Sequence, residues 1–128
     1  MRNGSPAEAL DRMLKSARQA LLYVDGLDLE AFLADSRTMD AVAMQFVTIG
    51  EMAVTAIRTN RAFVERYPDF PWALARGMRN QIVHNYAETK FEMVWRTTVE
   101  DLPVLVERLP AMIAAADAEW PPMLESHS

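Results

Sequence analysis

Apolar positions recur every three or four residues along nearly the whole chain, the spacing of helices that each bury one side. Leu10, Met13, Leu14, Ala17, Leu21 and Val24 form the first such stripe. Ser5-Pro6 precedes it as a cap with proline at the first helical position, Glu8 and Asp11 lie in its early turns, and Asp25-Gly26 closes it. Asp28 can cap a short second helix over 29–34. A long third helix runs from about Ser36 to Arg58, with Met39, Ala43, Phe46, Val47, Gly50, Ala53, Val54 and Ile57 on its apolar side. Tyr67-Pro68-Asp69-Phe70-Pro71 is a break. A fourth helix starts near Pro71-Trp72 and reaches about Tyr86. A fifth starts near Thr89 and carries Phe91, Val94, Trp95, Val99, Leu102, Leu105, Val106 and Leu109, with Pro103 and Pro110 set to kink or divide it. No alternating strand runs, internal repeats or low-complexity segments occur. The pattern predicts an all-α antiparallel bundle of four main helices, one domain over 1–119 with a loose tail over 120–128.

Composition narrows the chemistry. The chain has 128 residues, 51% of them apolar and 24% charged, which suits one globular domain. Cysteine is absent, so disulfides, thiolate metal sites and cysteine nucleophiles are excluded. Only His84 and His127 are available as imidazoles, and His127 is next to last, so no metal site is expected. Four glycines form neither GxGxxG nor GxxxxGK[ST], so no phosphate-loop cofactor is expected either. No apolar run is expected to approach the roughly 20 residues of a membrane span, and no signal peptide is expected. The expectation is a cytoplasmic protein without a membrane segment.

Net charge is −5 but unevenly spread. Residues 1–57 carry five basic and eight acidic groups, residues 58–96 seven basic and four acidic, and residues 97–128 one basic and six acidic. A locally basic zone therefore lies in the middle of an acidic protein, against the general run of nucleic-acid binders but compatible with a localised site.

The chemistry falls in that zone, in Gly77-Met78-Arg79-Asn80-Gln81-Ile82-Val83-His84-Asn85-Tyr86. At 100° per residue along this helix Leu74, Met78 and Ile82 form its core stripe. Asn80 and His84 then stack as an i,i+4 pair, Arg79 and His84 diverge by about 140°, and Tyr86 returns into line with Arg79. A histidine can take and give a proton near neutral pH, and an arginine presents a rigid fork of donors to a phosphoryl group. Those groups suffice for metal-free RNA cleavage, in which a base takes the ribose 2′-OH proton and a cation stabilises the charged transition state. The 140° divergence is resolved if a second copy of the helix completes the site in a twofold dimer. By itself, an Arg…His pair on one helix is more often a surface or capping pair.

Glu51, next to the mid-helix Gly50, can orient Arg79 or His84 across the bundle, or be a charge buried by pairing with an arginine. Gly50 itself points to a close helix–helix contact. Trp72, Trp95 and most of the nine methionines suit core or dimer contacts.

The Arg79…His84-Asn85-Tyr86 pattern resembles the HEPN superfamily and is most similar to its HepT-like ribonuclease toxins. Ile49-Gly50-Glu51, Pro71-Trp72 with Gly77-Met78-Arg79-Asn80, and Val94-Trp95 with Asp101-Leu102-Pro103-Val104-Leu105 match that family's blocks in order. Phe32-Leu33 and Asp40-Ala41-Val42 do so as well, and the likeness spans roughly 20–109. Asn85 departs from it, standing where many relatives carry a small residue.

The resemblance implies an up-and-down four-helix bundle with a short extra helix. It implies a homodimer with both motif helices at one cleft and a metal-independent endoribonuclease in a type VII-like toxin–antitoxin pair. Arg79 and His84 would be catalytic, with Asn80, Tyr86 and Glu51 positioning the substrate. The partner would be a small nucleotidyltransferase antitoxin, which in some members adds AMP to the motif tyrosine, here Tyr86. The alternative is a non-catalytic helical subunit that presents or regulates a substrate for such a nucleotidyltransferase.

Overall fold

The computed structural model describes residues 4–120, and over them the chain is an all-α, up-and-down helical bundle. Helix α1 spans Ala7–Val24, α2 Leu29–Leu33, α3 Ser36–Thr59, α4 Arg61–Glu65, α5 Trp72–His84, α6 Phe91–Glu100 and α7 Leu102–Glu119. A 3-10 turn, Tyr86–Glu88, lies between α5 and α6. Helix α1 packs between α3 and α7, and α3 packs in turn on α5. Helix α6 lies mainly along α7 and also touches α1, α2 and α3.

Local chemistry sets the early elements. The Ser5 hydroxyl accepts the Ala7 N–H at 3.0 Å, so the serine serves the first turn from just ahead of the helix. Helix α1 buries Leu10, Met13, Leu14, Ala17, Ala20 and Val24, while Leu21 is only half-buried. Gly26 follows at φ 79°, a left-handed turn that glycine enters freely. Asp28 Oδ1 accepts the Ala31 N–H at 2.8 Å and starts α2, whose Phe32 is fully buried against Trp95 at 5.3 Å between ring centres. Asp35 caps α3 through both oxygens, taking the Thr38 N–H at 3.1 Å and the Thr38 hydroxyl at 2.6 Å. These bonds to the charged form, the hydroxyl's first, hold the Asp35 carboxyl below its ordinary range.

Helix α3 is the central element. Its 24 residues extend about 36 Å, and it buries Val42, Ala43, Phe46, Ile49, Gly50, Ala53 and Ala56. That face is rotated from the predicted stripe: Val42, Ile49 and Ala56 are buried, while Val54 lies toward the edge. By length and composition α3 alone, among the described helices, also meets the criterion for a membrane span that no uninterrupted run was expected to approach. A core helix meets the same criterion, and here the apolar face of α3 is occupied by α1 and α5.

Three boundaries differ from the predicted ones. Helix α4, absent from the sequence reading, is held by the buried Phe63 and Val64 and by Trp120, whose ring meets Phe63 at 6.0 Å. Arg66 clamps the end of α7 through a bidentate pair to Glu119 at 2.7 and 2.6 Å, so the predicted loose tail does not begin at Trp120. Residues 121–128, with His127, lie outside the described residues. Second, the fifth segment divides at Asp101, which puts Pro103 in the first turn of α7, where a missing N–H costs nothing. Pro110 sits inside α7 and does not divide it, because Leu109, Met112 and Ala116 are buried on both sides of it. Third, α5 stops at His84, two residues before the predicted end. Of the methionines, Met13, Met78 and Met112 are in the core, but Met44 and Met93 are exposed.

Helices α3 and α5 approach closely at Gly50. A Cβ placed there would lie 2.1 Å from Arg79 Cβ and 2.7 Å from the Ala75 carbonyl oxygen, so α3 and α5 touch backbone to backbone. Gly77, on α5, would meet nothing within 4 Å. The two glycines predict opposite outcomes. Gly50→Ala should destabilise the fold by about 1–3 kcal/mol, since overpacking outweighs the gain in helix propensity. Gly77→Ala should stabilise it by up to about 1 kcal/mol. Denaturant unfolding of both variants checks this, and a Gly50→Ala chain as stable as wild type contradicts the packing.

Candidate active site

Helix α5 presents the motif because its other side is committed to the core. Trp72, Ala75, Met78 and Ile82 are buried, and the Trp72 indole N–H donates to the Tyr67 carbonyl at 3.0 Å, anchoring the helix start. Arg79 emerges at the edge of that face, its Cβ and Cγ against Gly50. Its guanidinium is oriented from two sides. Nε donates to Glu51 Oε1 at 2.7 Å, and Nη1 donates to Asn80 Oδ1 at 2.8 Å. An arginine has five N–H donors, so Nη2 and the second Nη1 hydrogen remain available for an anionic ligand.

Of the two roles open to Glu51, the structure selects orientation of Arg79. The pair is not buried: the side chains are 27% exposed for Arg79 and 47% for Glu51. Such a partly exposed pair contributes at most about 1 kcal/mol to stability, so its effect is to aim the cation. Asn80 acts on the arginine too, from the next position on the same helix.

His84 is the last residue of α5 and is exposed. Among the described residues its imidazole has no hydrogen-bond partner. The helix is continuous from Trp72 to His84, so the 140° divergence of Arg79 and His84 holds, with about 7.5 Å of axial rise between them.

Tyr86 is where the sequence expectation fails. Asn85, at φ −153° and ψ 56°, ends the helix, and Tyr86 opens the 3-10 turn. It therefore does not share a helical row with Arg79. Its hydroxyl donates instead to Asp40 Oδ1, across the bundle on α3. Its ring stands edge-on to Phe91, centres 5.8 Å apart and planes at 79°. Partial desolvation of the phenol, reinforced by the hydrogen bond to Asp40 and its charge, pushes its pKa up to about 12. Tyr86 so remains protonated across the neutral range although its ring is 42% exposed.

Asp40 is the site residue that sequence reasoning missed in this role. Its only signal was its place in the Asp40-Ala41-Val42 block; nothing local pairs it with a tyrosine 46 positions away. Helix α3 thus touches the motif twice through carboxylates, Glu51 on Arg79 and Asp40 on Tyr86, and leaves His84 between them unengaged. Because residues 51 and 40 run opposite to 79 and 86, the two helices are antiparallel. Among the described residues, no cluster of three or more histidine or carboxylate side chains gathers to hold a metal ion.

The chain is similar in sequence to known proteins. A protein of Methanocaldococcus jannaschii, provisionally named a ribonuclease, is 23% identical over 107 residues, covering 84% of this chain and 86% of its own. One of Caldanaerobacter subterraneus, named in the same way, is 25% identical over 109 residues, covering 85% of this chain and 95% of its own. A protein of Thermococcus cleftensis, provisionally named ribonuclease HepT, is 32% identical over 76 residues, or 59% of this chain and 66% of its own. No solved structure gives a significant match. The profile of the HepT-like ribonucleases matches residues 13–112, a span that includes Glu51, Arg79, His84 and Tyr86, and the chain belongs to that family.

Proposed function

We propose that this chain is a metal-independent endoribonuclease toxin in which Arg79 and His84 act together at a cleft between two copies. The observation that carries the reading is the contrast on α5. Arg79 is aimed by Glu51 and Asn80 with donors to spare, while the His84 imidazole is exposed and unpartnered. In this mechanism His84 takes the proton of a ribose 2′-OH. The 2′-oxygen attacks the neighbouring phosphorus and closes a cyclic phosphate as the bond to the 5′-oxygen breaks, and that oxygen leaves with the electron pair and takes a proton from water. Arg79 stabilises the extra charge on the phosphoryl oxygens. Asn80 holds the arginine and, with Tyr86, positions the RNA.

Two copies answer the divergence of the pair. Beside His84, the outward side of α5 carries Val83, 50% exposed. A second α5 can approach closely there and set one chain's arginine facing the other's histidine. The setting we propose is cytoplasmic, beside a nucleotidyltransferase antitoxin that silences the enzyme by adding AMP to Tyr86. The exposed hydroxyl-bearing ring supports this: a phosphodiester on it adds negative charge and bulk where RNA is to bind.

Three outcomes are expected. With total RNA in EDTA, wild type should cleave, and His84→Ala and Arg79→Ala should each lose on the order of a hundredfold or more while remaining folded. Cleavage by His84→Ala at the wild-type rate overturns the assignment. Light scattering should report a dimer at tens of micromolar, where a standard interface holds, and a monomer there counts against the shared cleft. Intact mass after co-production with the nucleotidyltransferase should show AMP on wild type and none on Tyr86→Phe.

A further inference from the structure

The Asp40–Tyr86 contact is the one side-chain bond of the site that RNA cleavage leaves unexplained. Asp40 lies in the second turn of α3, exposed, and no cation pairs with it among the described residues. Its carboxylate is directed onto a single hydroxyl, and Phe91 steadies the ring that bears that hydroxyl. A hydroxyl-bearing ring that is held still, accessible, and bonded to an unneutralised carboxylate is the arrangement by which phosphotransferases deprotonate an acceptor.

We propose that Asp40 is the proton acceptor that makes the Tyr86 hydroxyl a nucleophile toward the α-phosphorus of a nucleoside triphosphate. This rests on the reading of Tyr86 as the site of nucleotidyl transfer. In the step, Tyr86 Oη forms a bond to the α-phosphorus and the bond from that phosphorus to the bridging oxygen breaks. Pyrophosphate leaves with the electron pair, and the phenol proton passes to Asp40 Oδ1 and on to water. The raised pKa of the phenol explains the need: phenolate is scarce at neutral pH, so the proton must leave during the attack. The same carboxylate, by its charge, also suppresses free phenolate. Removing it therefore has opposite consequences for the two accounts. If Asp40 only holds the ring, its loss frees phenolate and speeds reaction at Tyr86. If Asp40 takes the proton, its loss slows it.

The test uses the purified full chain and benzenesulfonyl fluoride, which needs no partner. The Oη–S bond forms, fluoride leaves, and the proton must again go to Asp40. Peptide mapping should find Tyr86 modified at least about tenfold faster than Tyr23, an exposed tyrosine without a carboxylate partner among the described residues. Asp40→Asn, which keeps the shape and an acceptor oxygen, should slow Tyr86 about tenfold or more, and Asp40→Glu should restore most of the rate. The Asp40→Asn rate should also climb about tenfold per pH unit with phenolate, whereas wild type stays nearly level above the carboxylate range. Equal or faster reaction of Asp40→Asn overturns the proposal. A second arm offers the same proteins to the nucleotidyltransferase and ATP, where equal AMP transfer to wild type and Asp40→Asn also overturns it. If wild type reacts with the fluoride as expected but takes no AMP, the nucleotidyl-transfer reading falls while Asp40 stands as the proton acceptor of Tyr86.

Discussion

The backbone contact between α3 and α5 at Gly50 decides where Arg79 can go. With no Cβ at 50, the Arg79 stem lies directly on α3, close enough for its Nε to reach Glu51. The magnitudes show which effect governs. A partly exposed ion pair is worth at most about 1 kcal/mol, whereas a methyl group forced into this contact costs about 1–3 kcal/mol. Packing sets the distance between the helices, and the carboxylate then aims a cation that packing has already delivered. The same antiparallel register carries Asp40 to Tyr86 at the far end of the motif.

The arrangement divides the motif by engagement. Arg79 and Tyr86 are each tethered to α3, and His84 is tethered to nothing described. A cation needs a fixed direction to favour a transition state, since its contribution falls steeply with misplacement. A general base must instead reach a proton whose position is set by bound RNA, so an unengaged imidazole is compatible with the role proposed for His84.

Much of this was readable from the residues. The stripe of α1 comes from helical periodicity, and most of those of α3 and α5 do too, although the face of α3 is rotated and Leu74, placed in the core stripe of α5, is exposed while Trp72 and Ala75 are buried; Asp28 and Gly26 punctuate as their chemistry requires. Gly50 was readable as a close contact because glycine is costly in a helix interior. What escaped has physical causes. Helix α4 is five residues long, too short for periodicity to register, and is held by Phe63 and Val64 through tertiary packing. The end of α5 carries neither glycine nor proline; Asn85 breaks it, and Tyr86 is fixed by partners on α3 and α6 that no local pattern reveals. A helical wheel run past His84 therefore put Tyr86 on the wrong row. Pro110 misled in the other direction, because burial around it overrides the loss of one hydrogen bond.

The central claim is that Arg79 and His84, divergent on one helix, serve each other between two copies. Mixing the Arg79→Ala and His84→Ala chains tests it most directly. Each should be inactive alone, whereas a mixed dimer would hold one intact pair, an arginine from one chain and a histidine from the other. After subunit exchange the mixture should recover about a quarter of wild-type RNA cleavage, since about half of the dimers are mixed and each of those has one of its two sites intact. A mixture as inactive as its components would contradict a site shared between chains.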